Sequence, residues 1–246
     1  MIGIYGDYES MSRAGADLFA DISLQAIKER GVFCTALSGG TTPRLAYRML
    51  AQEPLRSMVA WDKVQVFWGD ERCVPLGSPM SNEGMARETL LSRVPLKESN
   101  IHPIRCAQSP EKSAAEYGTD LTDFFAGEPV FDLVLLGLGE NGHTASLFPG
   151  SPALHDTDHL TASVFASDVY RVTITARVIN HARHVAFLVS GSSKAGILKE
   201  IIEGRYEPDR LPAQLIKPVN GELHWLADAE SASLLEKTKK AALGGS

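Results

Sequence analysis

Apolar residues recur at two different periods along this chain. Over residues 9–29, Met11, Ala14, Leu18, Ile22 and Ala26 fall at spacings of three and four, which predicts an amphipathic helix. Residues 32–37, 64–68 and 131–137 are instead short, nearly unbroken apolar runs rich in β-forming residues. Such runs are expected of strands covered on both faces. Residues 171–175, 184–190 and 223–226 read as three further strands. Between them lie helix signals. Pro43 fits the first turn of a helix carrying Leu45, Met49 and Leu50, Ser81 caps a helix over 82–92, and Ser109-Pro110-Glu111 opens one to about Phe125. Ser192-Ser193-Lys194 starts a helix through Ile202. Strands alternating with helices predict an α/β, Rossmann-like fold with a mostly parallel sheet flanked by helices on both faces.

In such sheets ligands bind outside the carboxyl ends of the strands. Four polar or glycine-rich segments follow the predicted strands here: 38–42, 69–72, 137–144 and 190–194. Their coincidence at strand ends is the main sign of a site. The Pro/Gly-bearing stretches 75–79 and 204–212 read as loops within one unit, and no internal repeat is present. Residues 1–240 are therefore expected to form a single domain, with 241–246 a frayed tail.

Composition narrows the partners. The 246-residue chain is 44% hydrophobic, enough for a real core, and has a formal net charge of -6. That acidity argues against nucleic-acid and membrane surfaces, so an anionic substrate needs a basic pocket set against the global field. Cys34, Cys73 and Cys106 are odd in number and lack CxxC spacing, which argues against a disulfide framework or zinc site and for a reducing cytoplasm. The N-terminus has no secretory pattern, and no apolar run approaches the roughly 20 residues of a membrane span.

Each strand-end segment has a chemical reading and a plainer one. In Ser38-Gly39-Gly40-Thr41-Thr42-Pro43 the glycines let the backbone approach a ligand, and a following helix aims free N–H groups at it. This makes an anion cradle with added hydroxyl donors, or else an ordinary strand-to-helix turn. It lacks the Lys-Ser/Thr ending of a Walker loop. Arg72 in GDER can grip a phosphate through paired hydrogen bonds and Asp70 can orient a base or a sugar hydroxyl, unless the segment forms surface ion pairs of little weight. Lys194, at a helix start, opposes the macrodipole; an anion there resolves the conflict, and otherwise the side chain points to solvent. Arg171 is either a further site residue or a charge at a strand edge.

His143 lies in LGLGENGHTASLFP (136–149). A neutral imidazole accepts a proton near pH 7, and one base that deprotonates water is the least a hydrolase needs. A serine-nucleophile reading fails, because no G-x-S-x-G surrounds Ser146. A metal reading fails too: His155, His159, His181 and His184 are scattered, without paired ligand spacing. A lone loop histidine is commonly structural; position beside two candidate anion sites favours a catalytic role.

Taken in order, LSGGTTP (37–43), WGDERCVP (68–75), SNEGMARETLL (81–91), FDLVLLGLGENGHTASLFPG (131–150), RVTIT (171–175), VSGSSKA (189–195) and LPAQLI (211–216) resemble the 6-phosphogluconolactonases. That family sits in a wider sugar-phosphate group with the glucosamine-6-phosphate deaminases. The deaminases carry DGH followed by IAFNEP; here Phe148 stands in place of that glutamate and Asn141 in place of the aspartate. Proton shuttling between carbons wants those carboxylates and lactone hydrolysis does not. Asn141 also departs from many lactonases, which carry aspartate there, but asparagine retains the capacity to orient an imidazole or a water. The resemblance implies hydrolysis of 6-phospho-D-glucono-1,5-lactone without metal or organic cofactor, by a monomer or weak homodimer whose partner is a small phosphosugar lactone. It implies His143 as general base, Asp70 and Asn141 as orienting groups, and Ser38, Gly39, Gly40, Thr41, Arg72, Arg171 and Lys194 as the phosphate and substrate contacts. The competing expectations are a glucosamine-6-phosphate deaminase or isomerase and a sugar-phosphate sensor that does not turn over.

Overall fold

The computed structural model describes residues 1–75, 77–106 and 109–236; the expected tail at 241–246, and the end of the expected domain at 240, lie outside them. The elements in chain order are β1 (Ile2–Tyr5), α1 (Tyr8–Arg30), β2 (Phe33–Leu37), α2 (Pro43–Leu50), α3 (Leu55–Met58), β3 (Val64–Trp68), β4 (Asp70–Arg72), α4 (Asn82–Thr89), α5 (Pro110–Phe125), β5 (Leu133–Gly137), β6 (Thr161–Ala166), β7 (Val169–Ile174), α6 (Ala176–Asn180), β8 (His184–Val189), α7 (Ala195–Glu203) and β9 (Glu222–Asp228). Six strands form a wholly parallel sheet in the order β1-β9-β8-β5-β2-β3. Parallel pairing has one consequence for function: the carboxyl ends of all six strands face the same edge.

The apolar runs behave as their composition demands. All five residues of β2 are buried, and β3, β5 and β8 are nearly so. The helical stripe of α1 turns Met11, Phe19, Ile22 and Ala26 inward, and this helix packs against α2 and α3. Phe67 and Phe131 meet edge to face, and the Phe187 and Trp225 rings of β8 and β9 stack at 3.9 Å. Ser81 and Ser109 cap α4 and α5 as their sequences predict, accepting from Gly84 N and Lys112 N.

Three departures from the sequence reading matter. Residues 70–72, expected as loop, are strand β4. Residues 171–175, read as a further strand of a mostly parallel sheet, fall largely in β7 (Val169–Ile174). Together with β6 they make a separate three-stranded antiparallel sheet, order β4-β7-β6, against which α5 packs. Cys73 and Cys106 are joined as a disulfide, correcting the expectation of free thiols; Cys34 remains a buried thiol. Parity counting missed the pair because the two are 33 residues apart. The chain after Ile101 runs beside β3, with His102 N bonded to Val66 O, and so reaches the end of β4. The cysteine argument for a reducing compartment falls with it. Among the described residues no helix is long and apolar enough to cross a membrane.

Two buried tyrosines fix where strands stop. The Tyr47 hydroxyl donates to Ser38 O at 2.9 Å and accepts from Ser38 N at 3.1 Å. The Tyr117 hydroxyl does the same at Trp68, at 3.0 and 3.1 Å. Each phenol satisfies both backbone groups of a residue at a strand end, where the ladder no longer can. Tyr47→Phe leaves a buried donor and acceptor at Ser38 without partners. We expect it to lower the unfolding free energy by about 1–3 kcal/mol, read as a lower urea midpoint at unchanged slope.

Candidate active site

A cavity of about 260 Å³ opens at the carboxyl edge of the parallel sheet, where the loops after β2, β3, β5 and β8 converge. Its wall includes Ser38, Gly39, Gly40 and Thr41 from the first loop, Asp70 and Arg72 from β4, His143, Arg171 from β7, and Lys194. A larger groove of about 700 Å³ lies between α5 and β6, but its lining includes Glu111, Asp123, Asp156 and Asp158. That sign is wrong for an anion, and only the smaller cavity gathers arginine, lysine and an imidazole.

The loop after β5 is built to deliver one ring. Thr144 Oγ1 bonds Gly137 O at 2.9 Å, and Gly139 N bonds His143 O at 2.9 Å, folding the segment back on the strand end. A Cβ at Gly139 would lie 2.0 Å from His143 Nδ1, so only glycine admits the imidazole at this height. Beneath it, the fully buried Ser146 donates to Asp70 Oδ2 at 2.6 Å while its N–H reaches Thr173 Oγ1. Asp70 thus anchors the histidine loop through Ser146.

The imidazole's own partner is Asn141. Asn141 Oδ1 lies 2.5 Å from His143 Nδ1 and also accepts from the His143 backbone N–H. A backbone N–H only donates, so the shared atom is the amide oxygen and Nδ1 carries the ring proton. The lone pair is left on Nε2. The ring stacks on Phe148, centroids 4.2 Å apart, and the Arg171 guanidinium sits 5.1 Å from the centroid of the same Phe148 ring. Burial, followed by the positive charges of Arg171, Lys194 and Arg72, pushes the His143 pKa down to about 4. At pH 7 the ring is neutral.

The cations are held with their charge largely uncancelled. Arg171 is 8% exposed, 4.0 Å from Asp70, and burial lowers its pKa. Arg72 donates to Met80 O at 2.7 Å. Lys194 faces Glu140 at 3.7 Å, a carboxylate largely in solvent. Arg72 Nε, Arg171 Nε, Ser38 Oγ and Asn82 Oδ1 are buried and find no hydrogen-bond partner among the described residues, and all four side chains line this cavity. The two guanidinium N–H groups and the Ser38 hydroxyl are donors suited to a ligand rich in acceptor oxygens, such as a phosphate, while Asn82 Oδ1 is an acceptor for a ligand hydroxyl. The same charges repel a metal cation. The buried Glu71 is spent on structure: it accepts from Arg72 N, Asn82 N, Glu83 N and Ser81 Oγ, tying β4 to the start of α4.

Of the ten residues singled out from the sequence, nine line the cavity; Asn141 lies behind the imidazole it orients. Three contributors were missed. Asn82, at the first turn of α4, bonds Asp70 twice through Nδ2 and reaches so near Gly39 that a Cβ there would lie 1.6 Å from its Oδ1. Ser146 was weighed only as a nucleophile and Phe148 only as a missing glutamate. The pairing of Gly39 with a distant asparagine has no local signal, whereas the HTASLFP spacing that places an aromatic five residues after the histidine was visible.

Fold and cavity together define an α/β protein with a cationic cavity suited to a phosphorylated small molecule beside a neutral imidazole. The model of the glucosamine-6-phosphate isomerases/6-phosphogluconolactonase family matches residues 6–225, and the chain belongs to that family. It is 46% identical over 216 residues to a 6-phosphogluconolactonase of Synechocystis sp., covering 86% of this chain and 88% of that one. It is 39% identical over 239 residues to one of Nostoc sp., covering 95% and 98%. The 6-phosphogluconolactonase structure from Trypanosoma brucei superposes with a TM-score of 0.85 at 31% identity, over 96% of this chain and 98% of that one.

The charge arrangement is testable without substrate. Followed by NMR, the His143 ring is expected to titrate near pH 4, well below an ordinary histidine. Arg72→Ala removes one of the repelling charges, so the midpoint moves up; a midpoint that stays put would show that the cation does not act on the ring.

Proposed function

We propose that this chain hydrolyses 6-phospho-D-glucono-1,5-lactone to 6-phospho-D-gluconate, as in the oxidative pentose phosphate pathway, with residues 1–240 acting as one catalytic unit. The observation that carries the reading is a neutral imidazole, its free Nε2 fixed by Asn141, sharing one cavity with three cationic side chains. Arg72, Lys194 and the Ser38–Thr41 backbone hold the phosphate, and Arg171 supplies a further positive contact. Gripping the remote phosphate sets the lactone carbonyl beside the ring, so binding contributes to rate through positioning.

In the reaction, Nε2 of His143 takes a proton from water as the water oxygen bonds to the lactone carbon. The tetrahedral oxyanion forms in a cationic field and beside loop N–H groups. It collapses by breaking the bond to the ring oxygen, and the imidazolium returns its proton to that oxygen as it leaves. The new carboxylic acid loses its proton to solvent and the ring is neutral again. A base near pH 4 is weak, but a bound phosphate dianion offsets the three cations and raises the basicity of His143 once substrate is in place. Phe148 offers no carboxylate for moving protons between carbons, which disfavours the deaminase reading.

Two tests follow, each read against spontaneous lactone opening, with the lactone generated by glucose-6-phosphate dehydrogenase. His143→Ala is expected to lower kcat by about two to four orders of magnitude, and Lys194→Ala to act chiefly on KM. Near-normal turnover without the imidazole, ammonia release from glucosamine 6-phosphate, or saturable binding without hydrolysis would each overturn the assignment. In the wild type, rate falls with acid as the base is protonated. The limb in kcat/KM reports the free enzyme, near pH 4, and the limb in kcat reports the complex. The kcat limb is expected at the higher pH, because the dianion stabilises imidazolium; coincident limbs would remove the coupling between phosphate and base.

A further inference from the structure

The amino-terminal edge of the parallel sheet, remote from the cavity, carries a second cluster. β8 opens on His184 and β9 on Glu222, and the register sets His184 opposite Glu222 and Ala186 opposite His224. Glu222 and His224 are two apart on one strand and therefore share a face, the face that His184 also takes on the neighbouring strand. Their donor atoms converge. His184 Nδ1 lies 3.3 Å from His224 Nε2, Glu222 Oε2 lies 3.5 Å from the same nitrogen, and all three donors fall within 4.8 Å of one another. The sequence reading counted His184 among scattered histidines. The parallel register brings it to a partner 40 residues away.

These separations have a chemical meaning. Donors bound tetrahedrally to Zn²⁺ at about 2.0–2.1 Å stand about 3.3–3.4 Å from each other, and two observed separations match that edge within about 0.2 Å. Two imidazoles and a carboxylate are a donor set suited to late first-row divalent metals. We propose that His184, Glu222 and His224 form a binding site for a divalent transition-metal ion, Zn²⁺ in the first instance. A water completes the fourth position, and the ion clamps the starts of β8 and β9. The surrounding charges are mixed. Arg30 and Arg183 approach His184 but pair with the buried Asp132 at 3.0 and 3.5 Å, and the Met1 ammonium, bonded to Leu223 O, lies near His224. The nearby positive charge means that coordination bonds, rather than a general negative field, supply the affinity. The site stands apart from the lactone chemistry and does not depend on that assignment.

Titration of the full chain with Zn²⁺ tests the proposal. One equivalent is expected to bind with a Kd of about 10 μM or tighter and to raise Tm. His184→Ala and His224→Ala are each expected to weaken binding by more than about 100-fold, beyond the 10–100-fold that supporting groups alone carry, and Glu222→Gln by about 10-fold. His143→Ala should leave binding unchanged, which separates this site from the cavity. Lactonase turnover retained in the His184 and His224 variants shows that they fold. Should one of them not fold, Co²⁺ added to the wild type reports directly, through the visible bands of four-coordinate cobalt. Absence of a one-to-one event, binding that survives loss of both histidines, binding lost with His143, or six-coordinate cobalt only would each overturn the site and leave a simple histidine–histidine hydrogen bond.

Discussion

Like charges in one small cavity are the constraint around which this molecule is arranged. Arg72, Arg171 and Lys194 surround a buried imidazole, and burial first and these charges second push its pKa down to about 4, in a protein whose formal net charge is -6. Four positive groups in so little space would be mutually destabilising, so the ring stays neutral and the cations stay short of full neutralisation. Both conditions serve an anionic ligand. The cations retain charge to offer it, and the neutral imidazole retains its lone pair.

Holding such a cluster together requires an unyielding frame, and the frame is mostly backbone satisfied by side chains from below. Tyr47 and Tyr117 each close both backbone groups of a residue at a strand end. Asp70 takes Ser146 from the histidine loop and Asn82 from α4. Glu71 takes three backbone N–H groups, and Asp228 holds Ser190 and Gly191 ahead of Lys194. Each of these acids fixes a loop through hydrogen bonds, and Asp70, 4.0 Å from Arg171, also offsets part of that cation's charge. The small antiparallel sheet has the same purpose: β4 and β7 run side by side, with Arg72 directly opposite Arg171. Two like charges directly opposite are unfavourable, and an anion held between them would offset their repulsion.

What was legible in the sequence follows from range. The buried strands announced themselves as apolar runs, and the strand-end loops as glycines and hydroxyls, because those signals are local. β1, at the edge of the large sheet, was missed because four residues, one of them glycine, are too few to show a period, and β6, at the edge of the small one, because a partly exposed strand mixes polar and apolar residues. β4, with three residues, is too short for any period to show. The Cys73–Cys106 bridge, the fit of Asn82 against Gly39 and the meeting of His184 with His224 are all set by chain path or parallel register. Neither is written within any window of sequence. The nine cavity residues were found because parallel strands place their following loops on one edge, so that order along the chain became proximity in space.

Position 148 shows how one substitution separates two chemistries on the same frame. Phe148 lies against His143 and beneath the guanidinium of Arg171. A carboxylate there would pair with Arg171, cancel part of the field and stabilise imidazolium, yielding a stronger base but a poorer anion site. The aromatic ring does the reverse. It packs on a neutral imidazole, meets the guanidinium through its negative face and leaves both charge and lone pair available. Together with the uncharged amide of Asn141 behind the ring, it leaves no carboxylate paired with His143 among the described residues. On the proposed mechanism, a bound phosphate is then the negative charge available to raise the basicity of the imidazole, which would tie proton abstraction to an occupied phosphate site.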